Sequence, residues 1–168
     1  MGGPDIQIVP ALEGEPLEQV KHLFRQYWAA FDFSPCFQGF SSELAALPGA
    51  YSPPAGRLFI AYLDGAPAGC IALRRIDQTR CEAKRLWVEP HFRGQGIGKC
   101  LLRLVIEEAR QSGYREMLGD TMPYMTHALD MYDRLGFERA GDYLADPTPG
   151  AIPLRLLLHG EELKKSAS

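Results

Sequence analysis

With 168 residues the chain is long enough to bury one core and too short for two ordinary domains, so a single domain over residues 1–168 is expected. Its composition, 46% hydrophobic and 23% charged, excludes a disordered or fibrous architecture, and a net charge of −3 argues against broad nucleic-acid binding, which needs a basic surface. No apolar run approaches the ~18 residues of a membrane span and the N-terminus has no basic-plus-apolar leader, so a cytoplasmic protein with no membrane partner is expected.

In chain order, Asp5 to Val9 alternates as a strand. Glu15 to Phe31 then sets Leu17, Val20, Leu23, Phe24, Tyr27, Trp28 and Phe31 at helical spacings, which predicts one amphipathic helix. Asp32 to Pro35 breaks it, Ser41-Ser42-Glu43 starts a second short helix, and Leu47 to Gly56 is a loop. The aromatic residues Phe33, Phe37 and Phe40 leave the helical stripe and are candidates for the mouth of a pocket. Arg57 to Leu63, the turn Asp64-Gly65 and Pro67 to Ile76 read as an antiparallel hairpin.

Cys81 to Val88 is the next strand, closed by Pro90. Ile97, Leu101, Leu102, Val105, Ile106 and Ala109 form the apolar stripe of a helix that ends near Gly113 and packs on the sheet. Arg115 to Asp120 is a strand, Tyr124 to Leu135 a helix stopped by Gly136, and Phe137 to Tyr143 with Ile152 to Leu158 a final strand pair around Asp146 to Gly150. Cys36, Cys70, Cys81 and Cys100 show neither a C-x-x-C pair nor zinc-type His spacing, so free thiols are expected and no metal site.

The informative junction lies between the Cys81–Val88 strand and the helix after it, at Arg93-Gly94-Gln95-Gly96-Ile97-Gly98 followed by Lys99. Glycines at alternate positions keep side chains away from the backbone amides. The helix that follows offers N–H groups without intrahelical acceptors and a partial positive charge, so the segment suits a phosphate group, and Arg93 adds a donor of the same sign. The dinucleotide fingerprint G-x-G-x-x-G fails because position 101 is Leu. The phosphate loop G-x-x-x-x-G-K-[ST] fails because position 93 is Arg and position 100 is Cys.

What remains, Arg93-x-x-Gly96-x-Gly98, resembles the R/Q-x-x-G-x-G/A signature of the GNAT acyltransferase superfamily. Two further segments resemble the same family in the same order: Glu82 to Val88 as the preceding strand, and Tyr132-x-x-x-Gly136-Phe137 as the end of its second motif. The resemblance implies an α/β (mixed α+β) fold with a central, mostly antiparallel mixed sheet flanked by helices. It implies acetyl-CoA as cosubstrate, with the pyrophosphate at Arg93, Gly94, Gln95, Gly96, Ile97, Gly98 and Lys99, and the pantetheine and thioester along the backbone of Leu86, Trp87 and Val88.

Acyl transfer to an amine needs removal of a proton from the amine and delivery of one to the thiolate. Strand alternation puts Glu82 on one face with Lys84, Leu86 and Val88, and the resemblance makes Glu82 a candidate base, directly or through water. The alternative is a solvated Glu82 paired with Lys84 or Arg85 as surface charges. The resemblance makes Tyr132 the donor to the leaving thiolate, a phenol having a pKa near that of a thiol; a buried structural tyrosine is its alternative. Met125 stands where many family members have a pantetheine-binding Asn, with Thr126 and His127 beside it. His91 reads as an exposed loop residue. The expected acceptor is a small-molecule primary amine, polyamine-like or amino-acid-like. A peptide or protein amine, a non-catalytic CoA-binding module, and a homodimer over the C-terminal strands stay open.

Overall fold

A computed structural model describes residues 5–30, 39–143 and 150–158. The order of elements is β1 (Ile6–Pro10), α1 (Gly14–Ala30), α2 (Phe40–Ala46), β2 (Arg57–Leu63), β3 (Ala66–Arg75), β4 (Arg80–Val88), α3 (Ile97–Gln111), β5 (Glu116–Thr121), α4 (Thr126–Arg134), β6 (Glu138–Arg139) and β7 (Ile152–Leu157). The strands form one sheet in the order β1-β2-β3-β4-β5-β7-β6, antiparallel throughout except for the parallel pair β4 and β5. This is the mixed, helix-flanked sheet expected from the sequence. Phe31, Phe33, Phe37, Cys36 and the Asp146–Pro149 turn lie outside the described residues.

Each face of the sheet carries its own core. On one face α3 buries the six residues of its predicted stripe, Ile97, Leu101, Leu102, Val105, Ile106 and Ala109, against residues such as Ile71, Leu73 and Met117. On the other, α1 buries Val20, Leu23, Phe24 and Trp28 over Leu58, Ile60 and Trp87, and Phe40 of α2 packs on Trp28 with ring centroids 4.3 Å apart. Each such aliphatic or aromatic side chain removed from water contributes roughly 1.5–3 kcal/mol, which fixes both helices on the sheet.

Two departures from the sequence reading have clear causes. The strand expected over Phe137 to Tyr143 shrinks to Glu138–Arg139: Ala140 N–H donates to the Pro153 carbonyl at 2.9 Å, but Pro153 has no N–H to return, and the ladder ends there. The second departure is a bulge in β4. Cys70 opposes Trp87 and Ala72 opposes Lys84, so Ile71 alone faces two residues, Arg85 and Leu86. Arg85 takes the left-handed conformation, with φ 60°.

The bulge reverses the parity of the strand. Cys81 and Ala83 join the α3-side core, and after the bulge so do Leu86 and Val88, whereas Trp87 joins the α1 side. Glu82 and Lys84 therefore lie on the opposite face from Leu86 and Val88, which corrects the uninterrupted alternation expected from the sequence.

Candidate active site

Parallel pairing of β4 with β5 runs only from Arg80–Glu116 to Glu82–Leu118. Beyond that point the two strands are no longer paired, and between them opens a cleft of about 1090 Å³. It is walled by Ala83 to Val88 of β4, by Asp120 and Thr121 of β5, and by the starts of α3 and α4.

The glycine segment lies at this cleft. Gly96 is the N-cap of α3 at φ 85° and Gly94 sits at φ 83°, values that disfavour any side chain. A Cβ on either would meet no atom within 4 Å, so the backbone here is open to a ligand. Gly98 differs: it has no left-handed backbone, and a Cβ there would make ordinary contacts, 3.5 Å from Val88 Cγ2 and 3.9 Å from Met131 Sδ. Ile97 is buried and anchors the turn, Lys99 reaches the cleft wall from the first turn of α3, and Gln95 is exposed beside it. Arg93 stacks over Trp87 at 4.7 Å and donates from Nε to the Val88 carbonyl at 3.0 Å, leaving its terminal nitrogens at the rim.

Tyr132 sits on α4, 6% exposed, packed edge-on against Phe137 with its ring in the cleft wall. Burial raises its phenol pKa, and the neighbouring Tyr27 and Asp120 add to the rise. Burial likewise pushes Tyr27 up to about 12 and raises Tyr143, and Asp120 contributes to both shifts. Asp120 thus stands among three tyrosines at the mouth of the opened strands. The sequence reading missed it; the only mark it leaves there is an acid directly after the buried run Met117-Leu118-Gly119.

Glu82 is 1% exposed and forms no part of the cleft wall. Both its oxygens are engaged: Arg74 Nε donates to Oε1 at 2.6 Å and the Tyr143 hydroxyl donates to Oε2 at 2.7 Å. Lys84 and Arg85, expected as surface charges, are drawn inward. Arg85 donates twice to Glu43 at 2.9 Å and covers the Trp28 ring at 4.8 Å, while Lys84 lines the cleft. At the start of α4, Met125 takes a contact from Thr121 Oγ1 at 3.6 Å and lines the cleft together with Thr126 and His127. His91 is exposed and bound to Glu89 at 3.0 Å, which raises its pKa. Among the described residues no group of His, Cys, Asp or Glu could hold a metal ion, and no helix is long and apolar enough to cross a membrane.

Comparison with known proteins matches residues 17–137 to the Acetyltransferase (GNAT) family. An uncharacterized N-acetyltransferase of Dictyostelium discoideum is 31% identical over 210 residues, covering 88% of this chain and 95% of that one. The N-acetylaspartate synthetase of Danio rerio is 35% identical over 111 residues, which are 65% of this chain and 39% of that protein. Among solved structures, the PaiA N-acetyltransferase of Thermoplasma acidophilum in complex with coenzyme A superposes with a TM-score of 0.71 at 20% identity, covering 91% of this chain and 99% of that one. The matched segment contains both the glycine turn at the N-terminus of α3 and the Tyr132–Phe137 motif of the cleft wall. The chain belongs to the GNAT family of acetyltransferases, enzymes that move an acetyl group from acetyl-CoA to an amine.

Proposed function

We propose that this enzyme, acting in the cytoplasm as one domain, passes the acetyl group directly to the primary amine of a small molecule held beside acetyl-CoA in a ternary complex. The observation that carries this reading is the parting of β4 from β5 beyond Glu82 and Leu118, which opens one cleft lined by the glycine turn, Asp120 and Tyr132. The pyrophosphate docks on the amides around Gly94, Gly96 and Gly98, and the pantetheine runs along Leu86 to Val88. The name of the relative N-acetylaspartate synthetase supports a small acceptor over a peptide or protein amine.

In this reading the amine nitrogen attacks the thioester carbonyl carbon, the C–S bond breaks, and two proton transfers complete the exchange. Asp120 takes the amine proton, because it lines the cleft and its charge bears on Tyr132 and Tyr27, whereas Glu82 is buried and forms no part of the cleft wall. Glu82 acts as a positioning residue for Arg74, Lys84 and Tyr143. Tyr132 gives its proton to the departing thiolate. A phenol raised above its ordinary range stays protonated through neutral pH, so the donor is always loaded, although its acidity matches the thiol less closely than free values suggest.

The test is calorimetric titration of acetyl-CoA followed by a CoA-release assay across pooled amines. Saturable binding with amine-dependent release is expected. Binding without release on any amine would make the protein a CoA-binding module, and absence of binding would reject the site.

A further inference from the structure

Acetyl transfer leaves Lys84, a charged group of the cleft, without a task. Lys84 lines the cleft with its side chain 14% exposed, and its Nζ lies 3.9 Å from Glu82 Oε1, too far for a hydrogen bond. Glu82 is already taken by Arg74 and Tyr143, and the other nearby carboxylate, Glu43, is taken by both donors of Arg85. Each arginine is answered by one carboxylate. Lys84 is left over, making no hydrogen bond among the described residues. An ammonium is strongly hydrated, and its one long ion pair with Glu82, shared with Arg74, repays only part of the cost of holding it out of water. Burial first, then the charges of Arg85 and Arg74, outweigh the opposing pull of Glu82 and Glu43 and lower its pKa, which expresses the same cost.

The topology says what Lys84 faces. Glu82 and Leu118 are the last paired positions of β4 and β5, and Lys84 and Asp120 each lie two residues further on. Residues two apart on a strand share a face, and register partners of parallel strands point the same way, so Lys84 and Asp120 flank the opening from opposite sides. The bulge at Arg85 comes after Lys84 and does not disturb this relation. Paired strands stand ~4.8 Å apart, and these two are separating, so the gap is on the scale of one small amphoteric molecule.

We propose that the acceptor is an amino acid, its amine directed to Asp120 and its carboxylate held by Lys84. This rests on the acetyl-transfer reading above and narrows it. A polyamine would set a second ammonium against Lys84, whereas a peptide N-terminus would offer a neutral carboxamide where the carboxylate belongs. Lys84 takes no part in bond making; it positions the acceptor, and the product is an N-acetylated amino acid with its carboxylate intact.

The experiment compares one amine in three forms, the L-amino acid, its carboxamide and its decarboxylated amine, across the common amino acids, with N-acetyl products followed by mass spectrometry. At least one amino acid should exceed its carboxamide and its amine by about 10-fold or more in kcat/KM. Lys84→Met should close that gap mainly through the acceptor KM, and Lys84→Arg should restore part of it, with an acetyl-CoA titration reporting that the cosubstrate half of the site is intact. Carboxamides or simple amines acetylated as well as the amino acids, or a preference that survives in Lys84→Met, would overturn the proposal. The wild-type comparison decides by itself if Lys84→Met does not fold. Acetylation without any carboxylate preference rejects only this inference, whereas acetyl-CoA binding with no acetylation of any amine rejects the transfer reading and this proposal with it.

Discussion

Arg85 and Glu43 are joined by two hydrogen bonds of 2.9 Å across the gap between β4 and α2, and the arginine makes them from the left-handed backbone of the bulge. A non-glycine residue in that conformation costs on the order of 1–3 kcal/mol. The bidentate pair and the stacking of Arg85 on Trp28 offset that cost, and so hold the bulge where β4 leaves β5.

This pairing gives a stability prediction with a defined pH dependence. Burial opposes the charge on Glu43, but the hydrogen bonds and charge of Arg85 overcome it, and the carboxyl is held below its ordinary value of 4.5. Below pH 4.5 the unfolded chain therefore binds more protons than the folded one. Stability is fully present above that pH and falls as the pH drops through the folded value. Glu43→Gln should lower stability at pH 7 by about 2–4 kcal/mol, near the range for removing one partner of a buried pair, and should flatten the acid slope. Urea unfolding across pH 3 to 7 checks both, and an unchanged slope would mean that Glu43 contributes nothing through its charge.

Gly96→Asp tests the phosphate cradle. The position is an N-cap with open space at Cβ but a left-handed backbone, which strains Asp less than most side chains, so the fold should persist at a modest cost in stability. An acidic group at the helix entrance should weaken acetyl-CoA by ~10–100-fold through like-charge repulsion. Calorimetry beside circular dichroism measures it, and native affinity in the folded variant would move the pyrophosphate elsewhere.

Asp120→Asn and Glu82→Gln separate the two carboxylates. The first should lower kcat by ~10²-fold or more and remove one limb of the pH profile. The second should leave kcat within about 10-fold but cost about 1–3 kcal/mol of stability, less than for a fully buried pair because Arg74 is 29% exposed. The opposite pattern, with Glu82→Gln losing the pH limb and Asp120→Asn keeping it, would return the base to Glu82.

Tyr132→Phe removes a hydroxyl that makes no hydrogen bond to the described residues, and it keeps the ring packed on Phe137. Stability and acetyl-CoA affinity should stay nearly constant while kcat falls on the order of 10-fold to 10³-fold, with water substituting in part. Full kcat in the variant would make Tyr132 a packing residue.

Period and punctuation made most of the fold legible before any coordinates. The stripe of α3 was readable because all six of its residues meet one core, and the β2–β3 hairpin because Asp64-Gly65 marks its turn. The site was legible where a backbone requirement leaves glycines, as at Gly94 and Gly96. It was not legible where a bulge at Arg85 changed the parity of a strand, since a left-handed arginine has no signature in composition or spacing. That unmarked shift is why the sequence aligns Glu82 with Leu86 and Val88, whereas Lys84 is drawn inward by the cleft wall and Arg85 by its pairing with Glu43, contacts that strand spacing does not reveal. Asp120 owes its place to the separation of β5 from β4, a tertiary feature that a six-residue strand does not announce.

The central claim, that the cleft between β4 and β5 joins an acetyl group to an amine, is tested most directly by following the acetyl group itself. Isotopically labelled acetyl-CoA incubated with the enzyme and a pool of amino acids, their carboxamides and simple primary amines should yield labelled N-acetyl product in a one-to-one ratio with free CoA, a yield sharply reduced in Asp120→Asn. Release of CoA with the label recovered as acetate, or binding of acetyl-CoA with the label never leaving the thioester, would contradict the account.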